Sequence, residues 1–230
     1  MAETIKNRFH HAGFTLFEIL IAIFIFSIIV TTVFGSYRVV FSTTDRIHSD
    51  MTSYEMIGGA IERMTADITS ACITLPPGYQ PPKGDDPPDP YRIVGDQDAL
   101  GSDGFARLRF ASFAHMPMGK DRTPGIAQIV YYVQHIENDR YVLKRADHLS
   151  PYPDTENTGN DPILVENLKS IKFLYYDHEG TEHDTWDSES RQFKYATPAA
   201  VKIQGEIGDD SVSFFFETMV SFPVVREPRD

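Results

Sequence analysis

The sequence predicts an α+β fold in which one long N-terminal helix packs against an antiparallel β-sheet head. Three observations predict it. An apolar run opens the chain, from Phe14 to Val33. A stripe of apolar residues at steps of three and four continues from it, with no proline before Pro76. Past a proline-dense stretch, short segments rich in β-branched and aromatic residues alternate with turn formers.

Residues 1–13 form a short polar leader carrying Lys6, Arg8, His10 and His11. Residues 14–36 are the membrane-spanning half of the helix. About 20 apolar residues make roughly 30 Å of helix, which matches the hydrocarbon core of a bilayer. An ordinary secretory signal would end at a small-residue cleavage site, but this run continues through Val33-Phe34-Gly35-Ser36-Tyr37, so the helix is expected to be retained. Lys6 and Arg8 favour an N-inside orientation, which leaves the rest of the chain outside the cytoplasm. Glu18 interrupts the run. A carboxylate in a spanning helix costs about 2.5–3.5 kcal/mol on insertion scales, so it needs a partner or a task.

Residues 37–74 are the soluble half of the helix. Ile47, Met51, Tyr54, Ile57, Ile61, Met64 and Ile68 share one stripe, with Asp50, Glu55, Glu62, Arg63 and Asp67 largely elsewhere. Gly58-Gly59 marks a soft point or a site of close packing.

Residues 75–104 are a Pro/Gly-rich loop region, whose density of proline excludes a helix or a central strand. Asp85, Asp86 and Asp89 are oxygen ligands of the kind calcium takes, but the prolines and the lack of a recognised ligand spacing favour a solvated acidic loop.

Residues 105–230 are the β-rich head. Strands are predicted at 105–113, 126–136, 140–145, 168–176, 199–207 and 212–222, the second and third joined as a hairpin across Glu137-Asn138-Asp139. Between two of them, Asp177-His178-Glu179-Gly180-Thr181-Glu182-His183-Asp184 contains residue types that bind zinc. Gly180 stands where a turn is needed, which favours a polar inter-strand loop, with Trp186 beyond it as a core aromatic.

The 230-residue chain has 33 acidic and 21 basic residues, a formal net charge of -12. That balance argues against a nucleic-acid partner, which needs clustered Lys and Arg. One cysteine, Cys72, excludes an intramolecular disulfide. CxxC, HExxH, Walker A and GxSxG patterns are absent. No catalytic, cofactor-binding or metal residue is therefore assigned, and the chain is read as a non-enzyme. The rival of another class is a membrane-tethered periplasmic enzyme or sensor.

Gly13-Phe14-Thr15-Leu16-Phe17-Glu18, behind a basic leader and ahead of an apolar helix, resembles the type IV prepilin signal. Phe17 stands where that family commonly has Leu. The resemblance implies a pilin-like fold, cleavage by a prepilin peptidase between Gly13 and Phe14, and N-methylation of Phe14. It also implies a filament-assembly role for Glu18, the fifth residue of the mature chain. Physical chemistry agrees: in low dielectric an amine and a carboxylate attract far more strongly than in water, although desolvation takes back much of the gain. Glu18 can meet its own Phe14 amine in a free subunit and a neighbour's amine in a filament.

The head adds a second resemblance. Leu164-Val165-Glu166-Asn167-Leu168, then Ile171-Lys172-Phe173-Leu174-Tyr175-Tyr176-Asp177 and Gly180, then Trp186-Asp187-Ser188 and Thr197-Pro198-Ala199-Ala200-Val201-Lys202-Ile203, is similar to the J-type minor pseudopilin of type II secretion. That implies a low-abundance subunit at the tip of a periplasmic pseudopilus, anchored in inner-membrane lipid by a single pass with its head in the periplasm. The implied partners are the I-type and K-type minor pseudopilins and the major pseudopilin. A cytoplasmic ATPase drives such a filament, so the implied role needs no cofactor. The N-terminal half alone fits equally a minor pilin of a type IV pilus or of a DNA-uptake pseudopilus.

Overall fold

The computed structural model describes residues 15–84, 86–97, 105–117, 124–136, 140–150, 152, 161–209 and 212–229, without the side chains of 38–50. The chain forms two compact units, residues 1–51 and 52–230. One helix, α1 (Leu16–Thr69), contributes to both.

In the first unit, Leu16–Tyr37 is long and apolar enough to cross a membrane, with a mean hydropathy of 2.6. Three hydroxyls in it bond back to the helix's own carbonyls: Thr31 to Ser27, Thr32 to Ile28 and Ser36 to Thr32, at 2.8, 2.8 and 3.0 Å. Self-satisfaction of this kind lets a polar side chain sit in lipid.

In the second unit, the end of α1 buries Ile57, Ala60, Met64 and Ile68. The predicted stripe is right for Ile57, Met64 and Ile68, and Ile61 is half-buried against the same core. Met51 and Tyr54 are exposed instead, and Ile47 lies outside the described side chains. Ser112 terminates the helix. The single proton of its Oγ lies within reach of the carbonyls of Asp67 (2.8 Å), an acceptor the helix end leaves free, and Ser70 (3.1 Å), which also accepts from Phe113 N–H.

Among the described residues the head holds ten strands in two antiparallel sheets, where the sequence reading expected one. The strands are β1 (Val94–Asp96), β2 (Arg107–Ser112), β3 (Ala127–Ile136), β4 (Arg140–Leu149), β5 (Ile163–Val165), β6 (Leu168–Tyr176), β7 (Glu182–His183), β8 (Trp186–Asp187), β9 (Ala200–Gly208) and β10 (Ser213–Ser221). The larger sheet runs β5-β4-β3-β2-β1-β8 and the smaller β10-β9-β6-β7. Strands β3 and β4 pair in one unbroken register from Ala127 opposite Leu149 to Ile136 opposite Arg140, so the predicted hairpin strands are present. Its Glu137-Asn138-Asp139 turn lies outside the described residues.

Alternation explains the burial. On β9, Val201, Ile203 and Ile207 point inward while Lys202, Gln204 and Glu206 point out. Gly205 also points inward, and a Cβ there would lie 2.3 Å from the Phe216 ring, so only glycine admits that ring. Phe110, Ile129, Leu143, Phe173 and Phe216 from both sheets share a core with Met64 and Ile68 of the helix. Val130, Tyr132 and Ala146 form a second small cluster on the other face of the larger sheet.

Candidate functional site

Gly13 and Phe14 lie outside the described residues. Glu18 stands in the first turn of α1, the only charged residue of the Leu16–Tyr37 span. Thr15 and Glu18 form a reciprocal cap. Thr15 N–H donates to Glu18 Oε2 at 2.9 Å, and Glu18 N–H donates to Thr15 Oγ1 at 3.3 Å. The Thr15 hydroxyl adds a bond of 2.9 Å to the same Oε2. Thr-x-x-Glu is the capping-box spacing, which satisfies amide donors that a helix start leaves unpaired. Among the described residues Oε1 takes no hydrogen bond, so Glu18 caps its helix and still presents an acceptor outward.

The surface around it is apolar. Leu16, Phe24, Phe26 and Phe34 are exposed, Phe34 to 71%. A contiguous apolar surface of this extent marks lipid or partner contact.

The head buries charge where the sequence reading placed none. Asp67, expected away from the packed stripe, is fully buried. Arg145 on β4 grips it with two bonds, Nε to Oδ2 at 2.6 Å and Nη2 to Oδ1 at 3.1 Å. Tyr131 of β3 and Arg63 of the helix also donate to Asp67. Arg145 Nη1 reaches Asp147 at 2.7 Å, which in turn meets His115 Nδ1 at 2.6 Å and accepts from Met116 N–H at 2.8 Å. Burial works to raise the Asp147 carboxyl, but His115, Met116 N–H and Arg145 hold it below the usual carboxylate range. Burial first, then Asp67, pushes the Tyr131 phenol well above its ordinary value. The cluster rivets the end of α1 to the larger sheet. A carboxylate among helical polar residues carries no sequence signal of burial, and Arg145 at a strand position opposite Tyr131 was the available clue.

A second hub gathers the proline-rich stretch. Arg226 is 1% exposed and stacks over Tyr79 with its guanidinium 3.4 Å from the ring centroid. Its donors reach the carbonyls of Tyr195 (2.7 Å), Ser188 (2.8 Å) and Thr74 (3.1 Å), and the carboxylates of Glu189 (3.2 Å) and Asp89 (3.4 Å). Asp89, weighed as a calcium ligand, is thus paired with Arg226 and also accepts from Thr74 and Tyr91 N–H. Asp86 accepts from Lys83 N–H at 3.0 Å, and Asp85 lies outside the described residues. The loop reading of 75–104 gains a short strand, β1, that the sequence did not announce.

In the Asp177–Asp184 segment, Asp177 Oδ1 accepts from Glu179 and Thr181 N–H, and Oδ2 pairs with His183 Nε2 at 2.9 Å. Gly180 takes φ +82 to close the turn. Trp186 is buried, stacked on Phe193 at 4.1 Å and bonded through Nε1 to the Ala196 carbonyl at 3.1 Å. Among the described residues no three His, Cys, Asp or Glu side chains are arranged to hold a metal ion.

Chemically, the arrangement joins an apolar anchor bearing one outward carboxylate oxygen to a head braced by internal ion pairs. The family model for type II secretion system protein J matches residues 35–213, and the prokaryotic N-terminal methylation motif matches residues 8–34. No curated protein matches the chain.

Proposed function

The chain belongs to the type II secretion system protein J family, and from that premise we propose that it works at the pseudopilus tip with the I-type and K-type minor pseudopilins. It is a minor pseudopilin of the type II protein secretion system, a prepilin-type protein whose apolar helix anchors it in the membrane. The observation that carries the assembly part of this reading is Glu18, one carboxylate in an otherwise uncharged span behind a methylation motif, and the family match over residues 35–213 is what points that assembly to the secretion filament.

In this reading a prepilin peptidase cuts between Gly13 and Phe14 and the Phe14 amine is methylated. Lys6 and Arg8 hold the leader on the cytoplasmic side, so the helix crosses the inner membrane once and the head stands in the periplasm. The carboxylate of Glu18 meets the amine of a neighbouring subunit as the helix enters the filament. In lipid each of these groups needs the other, and that need sets the depth at which neighbours align. The tip complex primes addition of the major pseudopilin, and the growing filament helps move folded proteins through the outer membrane. The chain acts by assembly, without a reaction of its own.

Removing the chain from a cell with an intact secretion system tests this. Pseudopilus assembly should fail and secreted proteins should remain in the periplasm, with both restored by the full chain and not by Glu18→Ala. Normal filaments and export without the chain would overturn the priming role.

A further inference from the structure

The smaller sheet ends on β10, whose outer side has no strand beside it among the described residues. Phe222 N–H bonds the Ala199 carbonyl on the β9 side at 3.0 Å, and antiparallel ladders alternate. Residues 214, 216, 218 and 220 therefore bond toward β9, whereas Ser213, Phe215, Glu217, Met219 and Ser221 direct their N–H and C=O groups outward.

Natural edge strands are blunted by charged side chains, lysine above all, by proline, by a bulge or by shortness, and here the one charge is Glu217. This one is nine residues long, pairs with β9 without a register shift, and has no lysine or proline. Its outward side chains alternate apolar and acidic: Phe215 is 67% exposed, Glu217 is exposed between, and Met219 is 55% exposed.

We propose that the β10 edge accepts an extended strand from a different subunit of the secretion filament, one carrying a basic residue between two apolar ones. The inference rests on the filament role proposed above. Backbone bonds supply the attachment and alternate side chains the selection, as in other strand-addition complexes. Charge chooses the partner. In-register pairing of two copies of β10 about its centre sets Glu217 against Glu217, and like charges directly opposite destabilise a strand pair. A lysine or arginine opposite Glu217 reverses that sign, while apolar residues two positions away cover Phe215 and Met219.

The test uses the full chain in cells with the complete secretion system. A photoreactive phenylalanine analogue replaces Phe215 or Met219, and a control probe replaces Phe24 in the membrane helix. The proposal expects crosslinks from 215 and 219 to another pseudopilin, at residues flanking a lysine or arginine. Glu217→Pro removes one outward N–H, the carboxylate and the exposed 2.6 Å bond it accepts from Gln204 Nε2, but no ladder bond, so crosslinking should fall roughly tenfold or more while β10 stays paired to β9. Glu217→Lys keeps the backbone edge and should lower the yield similarly, with recovery when the partner's basic residue becomes glutamate.

No crosslink from 215 or 219, while Phe24 still captures a neighbour, would overturn the edge proposal and leave the filament role standing. Capture of a second copy of this chain would overturn it too. Loss of the Phe24 crosslink as well would remove the filament role, and the edge proposal with it.

Discussion

At the residue scale, the capping role of Glu18 leaves room for the assembly contact proposed above, because Thr15 uses only Oε2. Glu18→Ala should leave the head's thermal unfolding unchanged and abolish incorporation into filaments; normal incorporation would refute an assembly contact. Replacing Gly13 with valine should block cleavage, read as an intact mass that retains residues 1–13 when a prepilin peptidase is co-expressed. Asp67 belongs to the fold. Asp67→Asn takes from Arg145, which is 1% exposed, the carboxylate that holds it through two bonds and leaves it only Asp147, and breaking a buried pair costs about 3–5 kcal/mol. Chemical denaturation should show that loss, and the double change Asp67→Leu/Arg145→Met should be milder. Asp147 gives the head an acid limit. Its folded pKa is depressed, so its contribution is present above the ordinary aspartate value of about 3.9 and fades as pH falls through the lower folded value. Urea midpoints measured from pH 7 to pH 3 should drop for the natural chain and drop less steeply for Asp147→Asn.

At the scale of elements, Arg226 ties Tyr79, Asp89 and Glu189 together, and so holds the proline-rich stretch against the C-terminal segment. Arg226→Ala should expose residues 75–91 to proteases and hydrogen exchange while the amides of β3 and β4 stay protected. Lysine should not restore it, since one ammonium cannot reproduce five directed donors and a stacked plane. The elements also show what a sequence discloses. The long strands β3, β6, β9 and β10 were legible because ten- and nine-residue stretches of β-branched and aromatic residues announce themselves. The two- and three-residue strands β1, β5, β7 and β8 were not, since so short a segment has no period to read. The division into two sheets followed the same limit, because side-chain alternation assigns a face and not a neighbour.

At the scale of the whole molecule, the membrane helix was the most legible part, because a bilayer demands an apolar stretch of one length. The assembly contact proposed for its acidic residue rests on the same demand, as a charge in lipid needs a partner. The buried ion pairs of the head left no such mark: Asp67 looks like any solvent-facing residue until Arg145 is folded onto it. The family match runs on from the helix to residue 213, and so distinguishes secretion from pilus and DNA-uptake subunits, with which the N-terminal motif is shared. The proposed tip role requires this subunit to join two particular neighbours. It is tested most directly by isolating the full chain from membranes together with the I-type and K-type pseudopilins of the same cell. A stable complex of all three is the predicted result. A complex of those two that leaves this chain behind would contradict it.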